Sequence, residues 1–161
     1  MSYVITGLSA EKFMPLYNMS DAKLEEQGVI VQTADTTPGY PCRVTLEDAE
    51  PGERVFLLNY ESHHTPSPYR SAYAIYVRQN ATKQARYEND LPPIFINRPI
   101  ALRVFDVEGM LIGADMGLNN ELDDKITTAF DRPETAYIHA HNAMHGCFVA
   151  AIARLHEATG D

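Results

Sequence analysis

Three of the chain's six histidines and one of its two cysteines fall within one short run, His139-Ala140-His141-Asn142-Ala143-Met144-His145-Gly146-Cys147. On a strand, His139 and His141 share a face with Cα atoms roughly 7 Å apart, close enough for two imidazoles to meet on one ion. Cys147 after a turn would supply a third ligand, and Cys42, His63 or His64 would complete the set. Neutral imidazole with thiolate suits zinc rather than magnesium or calcium. The blander reading of the pair is core or surface histidines bonded to backbone or water.

The same run supports a second chemistry, with Cys147 as nucleophile. A thiol beside an imidazole can pass its proton to that ring, and His141, with His139 and His145 as alternatives, is the candidate base. Asn142 would orient a ring or donate to an oxyanion, and Gly146 would let a substrate approach the backbone. Against this stands a buried, inert cysteine preceded by a turn glycine. A redox pair of Cys42 with Cys147 has no Cys-x-x-Cys spacing behind it.

A third chemistry is anion binding. Arg43, Arg70, Arg78 and Arg103 lie on or beside expected strands, and a guanidinium holds carboxylate or phosphate in two-point geometry. Ser67, Tyr69 and Arg70 add hydroxyls, a ring and a charge from one loop, and Asn142 adds an amide. The competing fate of each arginine is a pair with one of the many carboxylates.

The elements that must position these groups are short and punctuated by Gly and Pro. Ser9 opens a helical turn through Phe13, stopped by Pro15, and Ser20 caps a second helix that ends at Gly28. Val29-Ile30-Val31 reads as a strand, followed by a loop over Thr36 to Pro41. Cys42-Arg43-Val44-Thr45-Leu46 alternates as a strand would, with Cys42, Val44 and Leu46 inward and Arg43 and Thr45 outward. Two stronger strands, Arg54 to Tyr60 and Ala72 to Val77, are expected to pair antiparallel around the polar stretch Glu61 to Ser71, a recognition loop.

Residues 79 to 93 read as a mobile connection. Ile100 to Phe105 and Met110 to Ile112 flank the hairpin turn Asp106-Val107-Glu108-Gly109. Leu122, Ile126, Ala129 and Phe130 fall at helical spacing, giving a third helix from about Glu121 to Phe130. A strand follows over residues 135 to 141. Cys147 to Ala153 then suits a strand by its β-branched content, passing into a helical tail over Arg154 to Ala158.

Composition narrows the function classes. A chain of 161 residues, 45% hydrophobic, fits a single domain with one core and no need of disulfides. With 22 acidic against 13 basic residues the formal charge is -9, which opposes phosphate neutralisation, so nucleic acid is a poor partner. No apolar run reaches the roughly 20 residues of a membrane span, and the first residues lack a signal-peptide pattern. The expected address is the cytoplasm, where both cysteines stay reduced. Dinucleotide and phosphate loops and the nucleophile-elbow motif are missing.

Several ordered segments together resemble one family. They are Pro41-Cys42-Arg43-Val44-Thr45-Leu46, Asp48-Ala49-Glu50-Pro51-Gly52-Glu53, Ser67-Pro68-Tyr69-Arg70, Ala74-Ile75-Tyr76-Val77-Arg78 and His139-Ala140-His141-Asn142-Ala143 with Gly146-Cys147. The chain is similar, over almost its whole length, to the uncharacterised bacterial family known as domain of unknown function 1203. That resemblance implies a bacterial single-domain protein and brings no established activity. The residues themselves point to an α+β domain, mainly antiparallel sheet with about three short helices. Its expected role is binding of a small anionic molecule, with or without a metal such as zinc, where the His139 to Cys147 run meets Arg43 and the Ser67 to Ser71 loop. A cysteine-dependent enzyme and a protein-interaction module are the alternatives.

Overall fold

The computed structural model describes residues 2–155. Nine strands form two antiparallel sheets. The larger contains Tyr3–Thr6 (β1), Arg86–Glu88 (β5), Ile100–Phe105 (β6), Leu111–Gly117 (β7), Tyr137–Asn142 (β8) and Phe148–Arg154 (β9), in the order β5-β1-β9-β8-β6-β7. The smaller contains Ile30–Thr33 (β2), Arg54–His63 (β3) and Ser71–Arg78 (β4), in sequence order. Two α-helices, Asp21–Glu26 (α1) and Glu121–Asp131 (α2), and three 3-10 turns complete the described chain. The α+β class with mostly antiparallel pairing is as the sequence indicates, and the expected first helix is a pair of 3-10 turns, Ala10–Lys12 and Met14–Leu16.

Period-two patterning divides the faces of the larger sheet. Ile100, Leu102, Val104, Ile138 and Ala140 are buried on one face and pack with Leu122, Ile126 and Phe130 from α2 in one cluster. Each such aliphatic or aromatic side chain contributes on the order of 2 kcal/mol of transfer free energy. Glu121, Asp123 and Asp124 fill the first turn of α2, where negative charge complements the helix dipole.

On the other face, register pairs Arg103 with His139, Ala101 with His141 and Phe105 with Tyr137. That face meets the smaller sheet through rings. His63 of β3 lies 4.3 Å from Phe105, and Tyr73 of β4 lies 5.1 Å from His141, centroid to centroid. A register shift after Ala140 sets His141 opposite Phe148.

Four expectations need correction. Cys42 to Leu46 is not a strand: only Pro41 and Cys42 form isolated bridges, residues 43–45 turn, and Leu46 has φ +53°. Cys42, Val44 and Leu46 are buried as the alternation requires, but the turn carries Arg43 inward too, leaving it 2% exposed. Residues 79 to 93 are structured, since Arg86–Glu88 pairs with β1. The polar hairpin loop is shorter than expected, because β3 runs to His63. Finally, Arg154 belongs to β9, and the remainder of the expected tail, 156–158, lies outside the described residues.

Strand β1 was not legible in the sequence. It sits between β5 and β9, pairing Val4 with Glu88 and Ala153. Gly7 follows it at a close crossing, where a Cβ would stand 2.2 Å from the Val44 carbonyl oxygen.

Candidate functional site

The turn between β8 and β9 builds the first part of the site. Gly146 takes φ +80°, a conformation glycine reaches at no steric cost. The Asn142 side-chain oxygen accepts from the amides of Met144 (3.1 Å) and His145 (3.4 Å), so Asn142 shapes the turn. The Gly146 carbonyl accepts from His141 Nδ1 at 3.0 Å, which leaves His141 Nε2 as the ring's lone-pair nitrogen. Cys147 follows at intermediate exposure, and Cys42 is fully buried; both are free thiols.

Two pockets adjoin, and Tyr73 lines both. The larger, about 550 Å³, is lined by Arg43, Cys147, Asn142, His145, Arg98 and Tyr76, among others. Arg43 enters from the turn after Cys42. Its Nε donates to the Phe148 carbonyl at 2.7 Å, its Nη1 to the Pro41 carbonyl at 2.5 Å and its Nη2 to Cys147 Sγ at 3.1 Å. Burial pulls its pKa below the usual guanidinium value, and taking that charge out of water costs several kcal/mol unless a counter-charge arrives. Arg98 is already matched, holding Asp48 through two bonds of 2.8 and 2.6 Å.

The smaller pocket, about 310 Å³, is lined by His139, His141, Arg103, Tyr69, Arg70 and Ser71, among others. Burial pushes His139 down to about 3, with the neighbouring charges of His63, His141 and Arg103 acting the same way. Burial likewise takes His141 down to about 4 against the opposing bond to Gly146. Both rings are therefore neutral at physiological pH. His63, packed edge-on to His139 at 5.2 Å, is fully engaged. Its Nδ1 faces the Tyr69 carbonyl at 2.8 Å and must carry the proton, so its Nε2 accepts the Tyr137 hydroxyl at 2.7 Å. Burial holds the Tyr137 pKa above the usual phenol value, keeping that donor protonated.

Charge pairing separates the arginines. Arg54, Arg70, Arg78, Arg86, Arg98 and Arg132 each meet a carboxylate. Arg154 donates to the carbonyls of Arg132 and Thr135. Arg103 donates to the Tyr73 hydroxyl at 2.7 Å. Among the described residues, Arg43 and Arg103 have no carboxylate partner, and each lines a pocket.

The candidates named from the sequence thus divide. Arg43, Asn142 and Cys147 line the larger pocket; His139, His141, Tyr69 and Arg70 line the smaller. Cys147 and its candidate base His141 face different pockets, and His145 is the histidine that lines the pocket of Cys147. Ser67 is occupied in holding the loop, donating to the Gly109 carbonyl at 3.0 Å and accepting from the Tyr69 amide at 3.1 Å. The set of His139, His141, Cys147 and Cys42 is not assembled: among the described residues no three His, Cys, Asp or Glu side chains group as a metal site requires. Cys42 Sγ instead accepts from the Arg78 amide at 3.4 Å. Sequence reasoning missed Arg98 and the dividing position of Tyr73, and only the strand register could have set Arg103 beside His139.

A family model described as "Protein of unknown function (DUF1203)" matches residues 39–154, a span that contains every residue named above in the two pockets. The chain belongs to this family. Neither a curated protein nor a solved structure matches it. Among the described residues, no helix of this DUF1203 member is long and apolar enough to cross a membrane.

Proposed function

We propose that the chain binds a small anionic molecule in the larger pocket, with Arg43 as its charge partner. The observation that carries this reading is a buried guanidinium without a carboxylate in a chain of net charge -9. Carboxylates are abundant, so a cation kept apart from them beside a cavity is matched by a charge from outside. The rings of Tyr73 and Tyr76 flank the space, and the volume accommodates a metabolite-sized ligand. The reading uses protein donors alone.

Ala74 tests it, because this exposed position on β4 lines the pocket. Calorimetric titration with inorganic phosphate and with citrate is expected to show binding of one or both. Ala74→Glu, which places a like charge at the wall, should weaken it by about ten-fold or more, whereas the equally large Ala74→Gln should not. Equal effects of Glu and Gln, or no anion binding by the wild type, would overturn the reading.

A second reading is favoured by one contact, the 3.1 Å approach of Arg43 Nη2 to Cys147 Sγ. A guanidinium there can accompany negative charge on sulfur during attack on a bound electrophile, with His145 at the same wall to take the thiol proton. Mass mapping after brief treatment with iodoacetamide at neutral pH tests it. Modification of Cys147 ahead of an unstructured reference thiol supports a nucleophile, and a rate below that reference removes it.

A further inference from the structure

His139 is the polar side chain that the fold leaves without a task. It is 8% exposed, it lines the smaller pocket, and no hydrogen bond among the described residues engages either ring nitrogen. Its nitrogens are not sealed in, because Ser62 Oγ is the one fully buried side-chain nitrogen or oxygen without a partner among the described residues. An imidazole packed against Phe105, Tyr137 and Phe148 and lining a cavity keeps hydrogen-bonding capacity for whatever occupies that cavity.

The neighbours define what would complete it. Neutral His139 offers one N–H and one lone pair, and neutral His141 adds the lone pair on Nε2. A hydroxyl satisfies such a pair, because it donates and accepts at once; a carboxylate alone does not, because it lacks a proton to give. Arg103 supplies the complementary charge. Its Nη1 is bonded to the Tyr73 hydroxyl, its guanidinium lies 5.8 Å from the Tyr73 ring centroid, and it has no carboxylate partner among the described residues.

We infer that the smaller pocket is a second ligand site, which takes a small hydroxycarboxylate with its carboxylate on Arg103 and its hydroxyl on His139 and His141. The available space, about 310 Å³, fits an acid of a few carbons. Tyr69 and Ser71 line the same space and add hydroxyls. The site is separate from the anion pocket beyond Tyr73 and does not depend on it.

Calorimetric titration of the full chain at pH 7 with glycerate, and with propionate as the acid lacking hydroxyls, tests the inference. Glycerate should bind about ten-fold tighter than propionate, the worth of a well-made hydrogen bond or two in a sheltered site. His139→Phe, which keeps a ring in the aromatic wall, should bring glycerate down to the propionate level. In the Ala74→Glu background, where a like charge closes the larger pocket to anions, Arg103→Gln and Ser71→Glu should each abolish binding of both acids, the second variant covering the case in which the first fails to fold. Ala74→Glu by itself removes any contribution of the larger pocket and should leave one site that still prefers glycerate to propionate. Equal affinities for the two acids, absence of binding, or loss in Ala74→Glu with retention in Arg103→Gln would each overturn the second site.

Discussion

The two pockets that share Tyr73 treat a positive charge in opposite ways. On one side Arg43 is drawn into the protein and bonded through three nitrogens to two carbonyls and a sulfur. On the other, Arg103 stands half-buried with one bond to a phenol, beside two histidines kept neutral by burial. The first is a fixed charge built into the fold; the second is a lightly held charge in a wall of hydrogen-bond acceptors. The comparison teaches that two guanidiniums without a carboxylate can differ in how firmly the fold holds them, and that the difference is measurable in stability.

The largest expected effect is acid sensitivity on the histidine side. The folded pKa values of His139 and His141 lie below the ordinary value near 6.5. The unfolded chain therefore binds more protons as pH falls, and stability present above about pH 6.5 is lost toward the folded values. Linkage puts the loss at on the order of 3 kcal/mol for each ring by about pH 4. Urea midpoints measured across that range should fall steeply, and His139→Phe should remove about half of the slope. An unchanged slope in that variant would show that the rings are not buried neutral.

The next effect falls on the other side. Arg43→Met leaves two carbonyls and the thiol without their donor and should cost about 3 kcal/mol, whereas Arg103→Met should cost no more than about 1 kcal/mol. Equal losses in urea denaturation would erase the distinction between the two charges. Smaller still is the backbone contribution of Gly146: alanine at φ +80° should cost about 1 kcal/mol and loosen the bond from the turn to His141. The least costly change is Ser67→Ala, which removes the exposed loop's bonds to the Gly109 carbonyl and from the Tyr69 amide and should lower the thermal midpoint by only a few degrees, for about 1 kcal/mol.

What could be read from the sequence follows from the range of each signal. Runs of β-branched and aromatic residues marked β3, β4, β6 and β8, and helical spacing marked α2, because strand propensity and burial on one helix face are local patterns. The α1 cap was equally local, with Ser20 accepting from the Lys23 amide at 3.4 Å. Cys42 to Leu46 misled because alternation reports burial rather than extension, and a turn can bury alternate residues too. Tyr3–Thr6 and Arg86–Glu88 are too short to show a period, and each is a strand only through its partner. The site was half legible. The His139 to Cys147 run does border pockets, but its division between two cavities depends on Tyr73, which arrives from another sheet. Pairing of Arg70 with Glu61, and its absence at Arg43 and Arg103, is likewise a property of the folded surface.

The central place of β1 bears on where this fold begins. The family match starts at residue 39, yet Tyr3–Thr6 lies between two strands inside the matched stretch. Excising residues 39–154 would open a gap in the larger sheet, stranding β5 and leaving β9 with a bare row of amide and carbonyl groups. Removal of β2 would do the same to β3. Such exposed edges recruit other chains. A fragment cut at the family boundary would therefore self-associate rather than report on the pockets, and the cooperative unit to express is the chain from its first strand.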